Sequence, residues 1–129
     1  MKFTFVKLPT GSIEIDHIRE MYIELHAKDF SLIKWFPRTA LIEKNRKTSW
    51  LYTGQKFDPK YIDLVQEGWT HDHCQICSTT ISENDSENSF SEGYFDSYNW
   101  VCKSCFELIL TSDDIEELIK KQEKFVQEW

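Results

Sequence analysis

The chain has 129 residues, of which 40% are hydrophobic, so its length and composition suit one folded unit with a packed core. Its net charge of −7 is unevenly placed: residues 1–68 hold 11 Lys/Arg against 9 Asp/Glu, whereas residues 69–129 hold 4 against 13. No apolar run approaches the ~20 residues of a membrane span, and Lys7 and Pro9 interrupt any secretory signal. We therefore expect a cytoplasmic protein with reduced cysteines.

The first 28 residues predict a strand followed by a helix. Phe3 and Phe5 alternate with Thr4 within residues 2–8, a pattern typical of a short strand. Ser12 is then a candidate N-cap. Apolar residues recur at helical spacing after it: Ile15, Ile18, Met21, Tyr22 and Leu25. We expect an amphipathic helix over residues 13–28, on which His17 and His26 have no assigned role.

Residues 30–68 give weaker signals, and the fold of residues 30–56 stays open. Aromatic and β-branched residues favour a strand over residues 48–53. Asp58 followed by Pro59 predicts the start of a short helix, which Gly68 would end in a left-handed conformation. We expect residues 1–68 to form a mixed α/β N-terminal part and residues 69–129 to form a second unit with C-terminal helices. Whether the two share one core stays open.

All four cysteines of the chain lie in two C-x-x-C pairs, Cys74 with Cys77 and Cys102 with Cys105. A tight turn at this spacing brings two sulfurs to one side, and two such turns, or knuckles, supply four soft ligands in the arrangement that Zn²⁺ prefers. We predict one structural zinc ion held by these four thiolates. Disulfides, a thioredoxin-like redox pair and a rubredoxin-type iron site are the alternatives.

The histidines beside the first knuckle are candidates for a supporting role. His71 and His73 share one face if residues 71–73 are extended, so either imidazole could donate a hydrogen bond to a thiolate. Replacement of a cysteine by one of them as a direct ligand is the less favoured reading. Four thiolates leave zinc without an open position, and no phosphate loop or nucleophile motif is present, so we expect a protein that is not an enzyme.

Between the knuckles the sequence predicts a hairpin with a polar tip. Residues 78–82 read as a strand, residues 83–92 as an exposed acidic loop, and residues 93–101 as the returning strand. A helix follows over residues 106–110, and a fresh cap at Asp114 opens a terminal helix whose apolar positions continue to Trp129. The order of knuckle, hairpin and knuckle at a helix start resembles the treble-clef class of zinc domains. The predicted fold is α+β: a small mixed N-terminal part packed on a treble-clef-like four-cysteine zinc unit with a C-terminal helix.

The motif also resembles one found in a group of small bacterial proteins. His71-x-His73-Cys74-x-x-Cys77 followed by Trp100-x-Cys102-x-x-Cys105-Phe106 is similar to a zinc-ribbon-like motif in proteins of unassigned function, some of which lie near toxin–immunity loci. The resemblance covers residues 69–110. It implies a link to immunity or antitoxin proteins and no residue role beyond the four ligands.

Charge and motif together predict an acidic protein-binding module. Four bound thiolates would add about −2 to the acidic half, a sign that repels phosphate and attracts basic partners. The candidate contact residues are the acids of the loop: Glu83, Asp85, Glu87 and Glu92. The sharper hypothesis is an immunity-like inhibitor of a basic protein. The alternative is nucleic-acid binding through the basic cluster over residues 38–47, which we consider the weaker reading; partner identity and oligomeric state stay open.

Overall fold

Short strands outnumber helices in this computed structural model, which describes residues 1–87 and 89–129. The helices are α1 (Ile15–Leu25), α2 (Lys103–Cys105), which continues as a π-helical turn over Phe106–Leu110, and α3 (Ile115–Lys121). The strands are β1 (Lys2–Leu8), β2 (Gly11–Glu14), β3 (Ser31–Lys34), β4 (Arg38–Glu43), β5 (Ser49–Leu51), β6 (Ile62–Trp69), β7 (His71–His73), β8 (Thr80–Ser82), β9 (Ser89–Phe90), β10 (Glu92–Phe95), β11 (Trp100–Val101) and β12 (Lys124–Glu128). The predicted mixture of helix and strand is confirmed.

The strands form small sheets of three, and most neighbours within them are antiparallel. The sheet orders are β12-β1-β2, β11-β10-β3, β5-β4-β6 and β7-β8-β9, in which only the β8–β9 pairing is parallel among the described residues. Two of these sheets join distant parts of the chain, since β3 pairs with β10 and β12 pairs with β1. The N- and C-terminal segments are therefore held together by backbone hydrogen bonds as well as by side-chain packing.

The N-terminal strand lies where the sequence predicts it, but the helix after it starts later than expected. Residues 11–14 extend as β2 and pair with β1, so helix α1 begins at Ile15. Its N-cap is Glu14, whose carboxylate accepts hydrogen bonds from the amides of Asp16 (2.9 Å) and His17 (3.1 Å). The predicted cap at Ser12 is wrong because the pairing with Lys7 keeps Ser12 in the sheet.

The helix predicted after Asp58 is also wrong. The Asp58 carboxylate accepts from the amide of Lys60 (2.9 Å), which closes a turn, and the chain then runs as strand β6 beside β4. An Asp-Pro pair suits the start of a turn as well as that of a helix, and cross-strand pairing decides between them. Gly68 lies inside this strand and ends no helix; a Cβ there would be 2.9 Å from the Val65 Cβ.

The terminal helix is correct only in its first half. The Asp114 carboxylate caps α3 by accepting from the amides of Glu116 (3.1 Å) and Glu117 (3.2 Å), as expected. The helix ends at Lys121, however, and Lys124–Glu128 forms a strand opposite β1. The Lys124 ammonium donates to the carbonyl of Ile119 at 2.7 Å and so satisfies the end of α3.

The returning strand predicted over residues 93–101 is divided into a hairpin. Strands β10 and β11 pair with each other across a turn in which the Asp96 carboxylate accepts from the amides of Tyr98 (2.9 Å) and Asn99 (2.5 Å). The acidic segment before it includes strand β9, which pairs with β8, and Glu92 begins β10. The chain thus crosses this region more often than one simple hairpin would.

One buried cluster contains side chains from both halves of the chain and the cysteines. From the N-terminal part it includes Val6, Ile18, Leu25 and Trp35; from the remainder it includes Ile76, Ile81, Trp100, Ile109 and Ile119. Cys74, Cys102 and Cys105 are each about as buried as these apolar residues, so the cysteine cluster is part of the core. No helix in the described part of the chain is long and apolar enough to span a membrane.

Candidate metal centre

The four cysteines meet, and their sulfur atoms all lie within 4.8 Å of one another. They come from the end of β7 and from the start of α2, which are separated by more than 20 residues of sequence. Cys74, Cys102 and Cys105 are buried, whereas Cys77 is partly exposed. All four are free thiols rather than disulfides. A cluster of this kind is a candidate site for one metal ion that prefers sulfur ligands.

The first knuckle is a tight turn that is closed by its own backbone. The amide of Ser78 donates to the carbonyl of Cys74 at 2.9 Å, and the amide of Cys74 donates to the carbonyl of Thr79, also at 2.9 Å. The amide of Ile76 points at the Cys74 sulfur at 3.4 Å, the type of contact that stabilises a thiolate. Ser78 has a left-handed backbone with φ 66°, which turns the chain back toward β8.

The second knuckle lies at the start of a helix. Cys102 is the N-cap of α2, and its carbonyl accepts from the amide of Phe106 at 3.0 Å. Cys102 and Cys105 are three residues apart, so they lie on the same side of this first helical turn. The two knuckles are joined directly, because the amide of Gln75 donates to the carbonyl of Trp100 at 3.0 Å. This contact brings the Cys77 and Cys102 sulfurs to 3.7 Å.

Two residues to which the sequence analysis assigned no role support the knuckles from the N-terminal part. The Thr10 hydroxyl, in the turn between β1 and β2, lies 3.9 Å from the Cys105 sulfur. Nε2 of His17 on α1 lies 3.2 Å from the carbonyl oxygen of Gln75. Both contacts span more than 50 residues, so no local spacing could have indicated them. They show that the N-terminal part contributes to the surroundings of the candidate metal site.

The predicted supporting histidines lie beside the site and contact oxygen atoms. His73 Nδ1 is 3.1 Å from the carbonyl of Ser78, and His71 Nδ1 is 3.2 Å from the Thr70 hydroxyl. Their rings are 5.0 Å apart, so they do share a face of β7. His73 braces the turn that follows Cys77. Its donation to a thiolate, and that of His71, stay predictions.

The thiols influence each other's ionisation strongly. Hydrogen bonding from Cys102 lowers the pKa of Cys77, and hydrogen bonding with Cys105 lowers the pKa of Cys102. Contact with Cys102 raises the pKa of both Cys74 and Cys105, and burial adds to the effect. Without a cation, the sulfurs therefore share protons, because four adjacent thiolates would repel each other in a buried site. A divalent ion at their centre favours the thiolate form of all four.

A second polar cluster lies on the other side of strand β7, and no sequence pattern indicated it. The Asp72 carboxylate forms an ion pair with Arg38 and accepts hydrogen bonds from the indoles of Trp35 (2.8 Å) and Trp69 (3.1 Å). The Arg38 guanidinium lies 5.4 Å from the ring centre of Phe36. The side chains of Asp72 and Arg38 are only 17% and 18% exposed. This network fixes the strand that carries the first knuckle onto β4.

The basic cluster of the sequence is largely neutralised in the fold. Arg38 is occupied by Asp72, and Lys44 (3.9 Å) and Arg46 (3.4 Å) both face the carboxylate of Asp63. In the described residues, Lys47 is the member of the cluster without a carboxylate partner. The segment therefore presents less free positive charge than its composition indicates.

The four predicted partner-binding acids differ in their surroundings. Asp85 accepts from the amide (2.7 Å) and hydroxyl (2.9 Å) of Ser91, which closes the loop, and Glu92 lies 3.6 Å from the Lys103 ammonium. Glu83 and Glu87 are exposed and have no ion-pair partner among the described residues. Of the four acids, Asp85 and Glu92 are thus engaged within the fold, whereas the carboxylates of Glu83 and Glu87 carry the uncompensated charge.

Comparisons of the chain with protein-family models, with curated proteins and with solved structures gave no match. Function must therefore be inferred from the chemistry of the site itself. The fold and the cysteine geometry support a small α+β domain with a four-cysteine candidate metal site in its core.

Proposed function

We propose that the four cysteines hold one structural Zn²⁺ in a treble-clef-like unit. Tetrahedral coordination with Zn–S bonds of ~2.3 Å requires sulfur separations of about 3.8 Å. The 3.7 Å between the Cys77 and Cys102 sulfurs fits this requirement. The other sulfur–sulfur distances are at most 4.8 Å, so small side-chain movements would bring them to the required separation. The order of first knuckle, β10–β11 hairpin and second knuckle at a helix start supports the treble-clef assignment.

The role we propose for this zinc-stabilised unit is to bind a basic protein through an acidic surface. The proposal rests on one observation: most acidic side chains in the second half of the chain have no basic side chain within ion-pair distance, among the described residues. Carboxylates there without an ion-pair partner, within the described residues, are Glu83, Asp85, Glu87, Asp96, Glu107, Asp113, Asp114, Glu117 and Glu128. A surface of this sign accelerates association with a cationic partner.

The acidic loop is the best candidate for the contact, because its described residues, 83–87 and 89–92, are both charged and held in place. Strand β8 follows the first knuckle directly, and β9 pairs with it, so the metal site fixes the base of the loop. The hydroxyls of Ser82 and Ser89 are 2.8 Å apart and link the two strands, while Asp85 binds Ser91. Such preorganisation reduces the entropy lost on binding. Glu83 and Glu87 remain free to meet basic side chains.

The sharper form of the proposal is an immunity-like inhibitor of a basic effector such as a nuclease. Charge complementarity of this type supports fast and tight inhibition. It is supported by the acidic loop and by the resemblance of the cysteine motif, and the Asp63 and Asp72 ion pairs weigh against nucleic-acid binding through residues 38–47.

The test is affinity capture from the native host, followed by titration of the captured partner. The charge-removing variant is Glu83→Gln with Glu87→Gln, which alters exposed loop side chains without disturbing the bonds of Asp85. The matched control is Glu20→Gln with Glu24→Gln on helix α1, where both acids are exposed and the net charge changes by the same amount.

We expect a basic protein bound at one-to-one stoichiometry, with an association rate that falls about tenfold in the loop variant and little in the control. The rate should also fall as salt is added. Capture of nucleic acid instead of a protein would favour the alternative function. Equal effects of the loop and control variants would contradict the assignment of the loop as the contact.

A further inference from the structure

Strand β12 is the edge of its sheet, and its free edge has a regular pattern. The sheet order is β12-β1-β2, so within residues 1–87 and 89–129 only one side of β12 is paired. On that side the amide of Lys7 donates to the carbonyl of Glu123 (2.8 Å), and the amide of Trp129 donates to the carbonyl of Met1 (2.9 Å). Because hydrogen-bonding direction alternates along a strand, Phe125 and Gln127 also bond toward β1. The amides and carbonyls of Lys124, Val126 and Glu128 therefore point outward.

This outward edge is complementary to itself. If two copies of the strand run antiparallel with Val126 at the two-fold axis, each Val126 exchanges both backbone hydrogen bonds with Val126 of the second copy. Lys124 then lies opposite Glu128 of the second copy, and the same pair repeats at the other end. All outward amides and carbonyls of the strand obtain partners, and opposite charges face each other. Pairing centred on Lys124 or on Glu128 would instead place like charges opposite each other.

The side chains around this edge are also unusually apolar for a free surface. Val126 is 61% and Trp129 is 69% exposed. On the face that carries Phe125, its ring stacks on Phe5 at 5.3 Å, and Trp129 lies 5.2 Å from Phe3. In the arrangement centred on Val126, Phe125 of one copy lies diagonal to Trp129 of the other, within reach of an aromatic contact. An exposed edge strand with such residues is a site for pairing with another chain.

We propose that the protein forms a symmetric dimer in which two β12 strands pair antiparallel about Val126. The two three-stranded sheets then become one continuous sheet of six strands. The proposal goes beyond the binding of a basic partner, since it concerns a different segment and a different occupant, a second copy of this chain. An isologous contact of this kind closes on itself and does not extend into fibres.

The decisive test is charge reversal at the two ends of the strand, measured by sedimentation velocity over low to several hundred micromolar protein. Glu128→Lys alone places lysines opposite lysines. Lys124→Glu alone places acids opposite acids and also removes the ammonium that donates to the end of α3, so near-ultraviolet circular dichroism must first show that this variant keeps the wild-type fold. Each variant by itself should raise the dimer dissociation constant about tenfold. An equimolar mixture of the two variants should form a heterodimer, because opposite charges then face each other at both ends.

A second variant removes the backbone contact at the two-fold axis. Val126→Pro deletes an amide that points outward, so the bonds between β12 and β1 remain and the chain should fold, as near-ultraviolet circular dichroism would report. This variant should be monomeric at concentrations where the wild type is dimeric. The proposal is overturned if the wild type stays monomeric throughout the range, if Val126→Pro leaves dimerisation unchanged, or if the mixed charge variants associate no better than either one alone.

Discussion

Removal of the Asp72 carboxylate should be one of the most damaging single changes outside the cysteines. Asp72→Ala leaves the Arg38 guanidinium without its ion-pair partner and takes the acceptor from two indole N–H groups. Loss of one partner of a buried ion pair costs about 3–5 kcal/mol. Since the side chains of Asp72 and Arg38 are still 17% and 18% exposed, water compensates in part. We therefore expect the substitution to lower the free energy of unfolding by about 3 kcal/mol.

The assay is urea denaturation of the metal-bound protein, and the chain offers a matched control. Asp63→Ala also removes an acid that faces two cations, Lys44 and Arg46, but its side chain is 39% exposed, so we expect a loss below about 1 kcal/mol. Asp72→Asn keeps an acceptor for the indoles and should fall between the two. If Asp72→Ala costs no more than Asp63→Ala, the network of Asp72 does not stabilise the strand that carries the first knuckle.

Two further predictions concern the metal site and the strand next to it. Cys105→Ser, or addition of a strong chelator, should remove the metal and unfold the core around the knuckles. The reason is that the binding free energy of structural zinc, on the order of 10 kcal/mol, is coupled to folding. Metal stoichiometry and circular dichroism measure this, and a metal-free chain that stays folded would contradict it. Gly68→Ala should destabilise by about 1–3 kcal/mol, because its Cβ would be 2.9 Å from the Val65 Cβ. Gly54→Ala is the comparison: its Cβ meets no atom of the described residues within 4 Å, so any loss there comes from its left-handed backbone alone. Thermal unfolding measures both, and a Gly68→Ala variant as stable as the wild type would contradict crowding at residue 68.

Local patterns predicted the elements whose partners are close in sequence or whose ends are chemically marked. The alternation of Phe3 and Phe5 specified β1, and the Asp114 carboxylate specified the start of α3. The C-x-x-C spacing predicted both knuckles, and the sulfurs do meet. In each case a few consecutive residues contain the whole physical cause, namely a period, a cap or a pair of ligands.

The errors lie where a distant partner selects between two locally acceptable structures. The segment after Asp58 has apolar residues at helical spacing. It nevertheless forms a strand, because its backbone pairs with β4, with Ile62 opposite Glu43. Phe125 and Val126 continue the helical period of α3, yet they lie opposite Phe5 and Thr4 of β1. Backbone hydrogen bonds to these strands outweigh helix propensities, which are a fraction of a kcal/mol per residue.

The sequence by itself determined the composition of the candidate metal site, since four cysteines in two knuckles leave few other arrangements of soft ligands. It also determined the sign of the charge on the second half of the chain. Only the tertiary structure decided what surrounds that site: Thr10 and His17 reach it from the N-terminal part, and Asp72 turns away from it to hold Arg38. Contacts between residues this far apart depend on how the sheets assemble, and that assembly is a property of the whole chain.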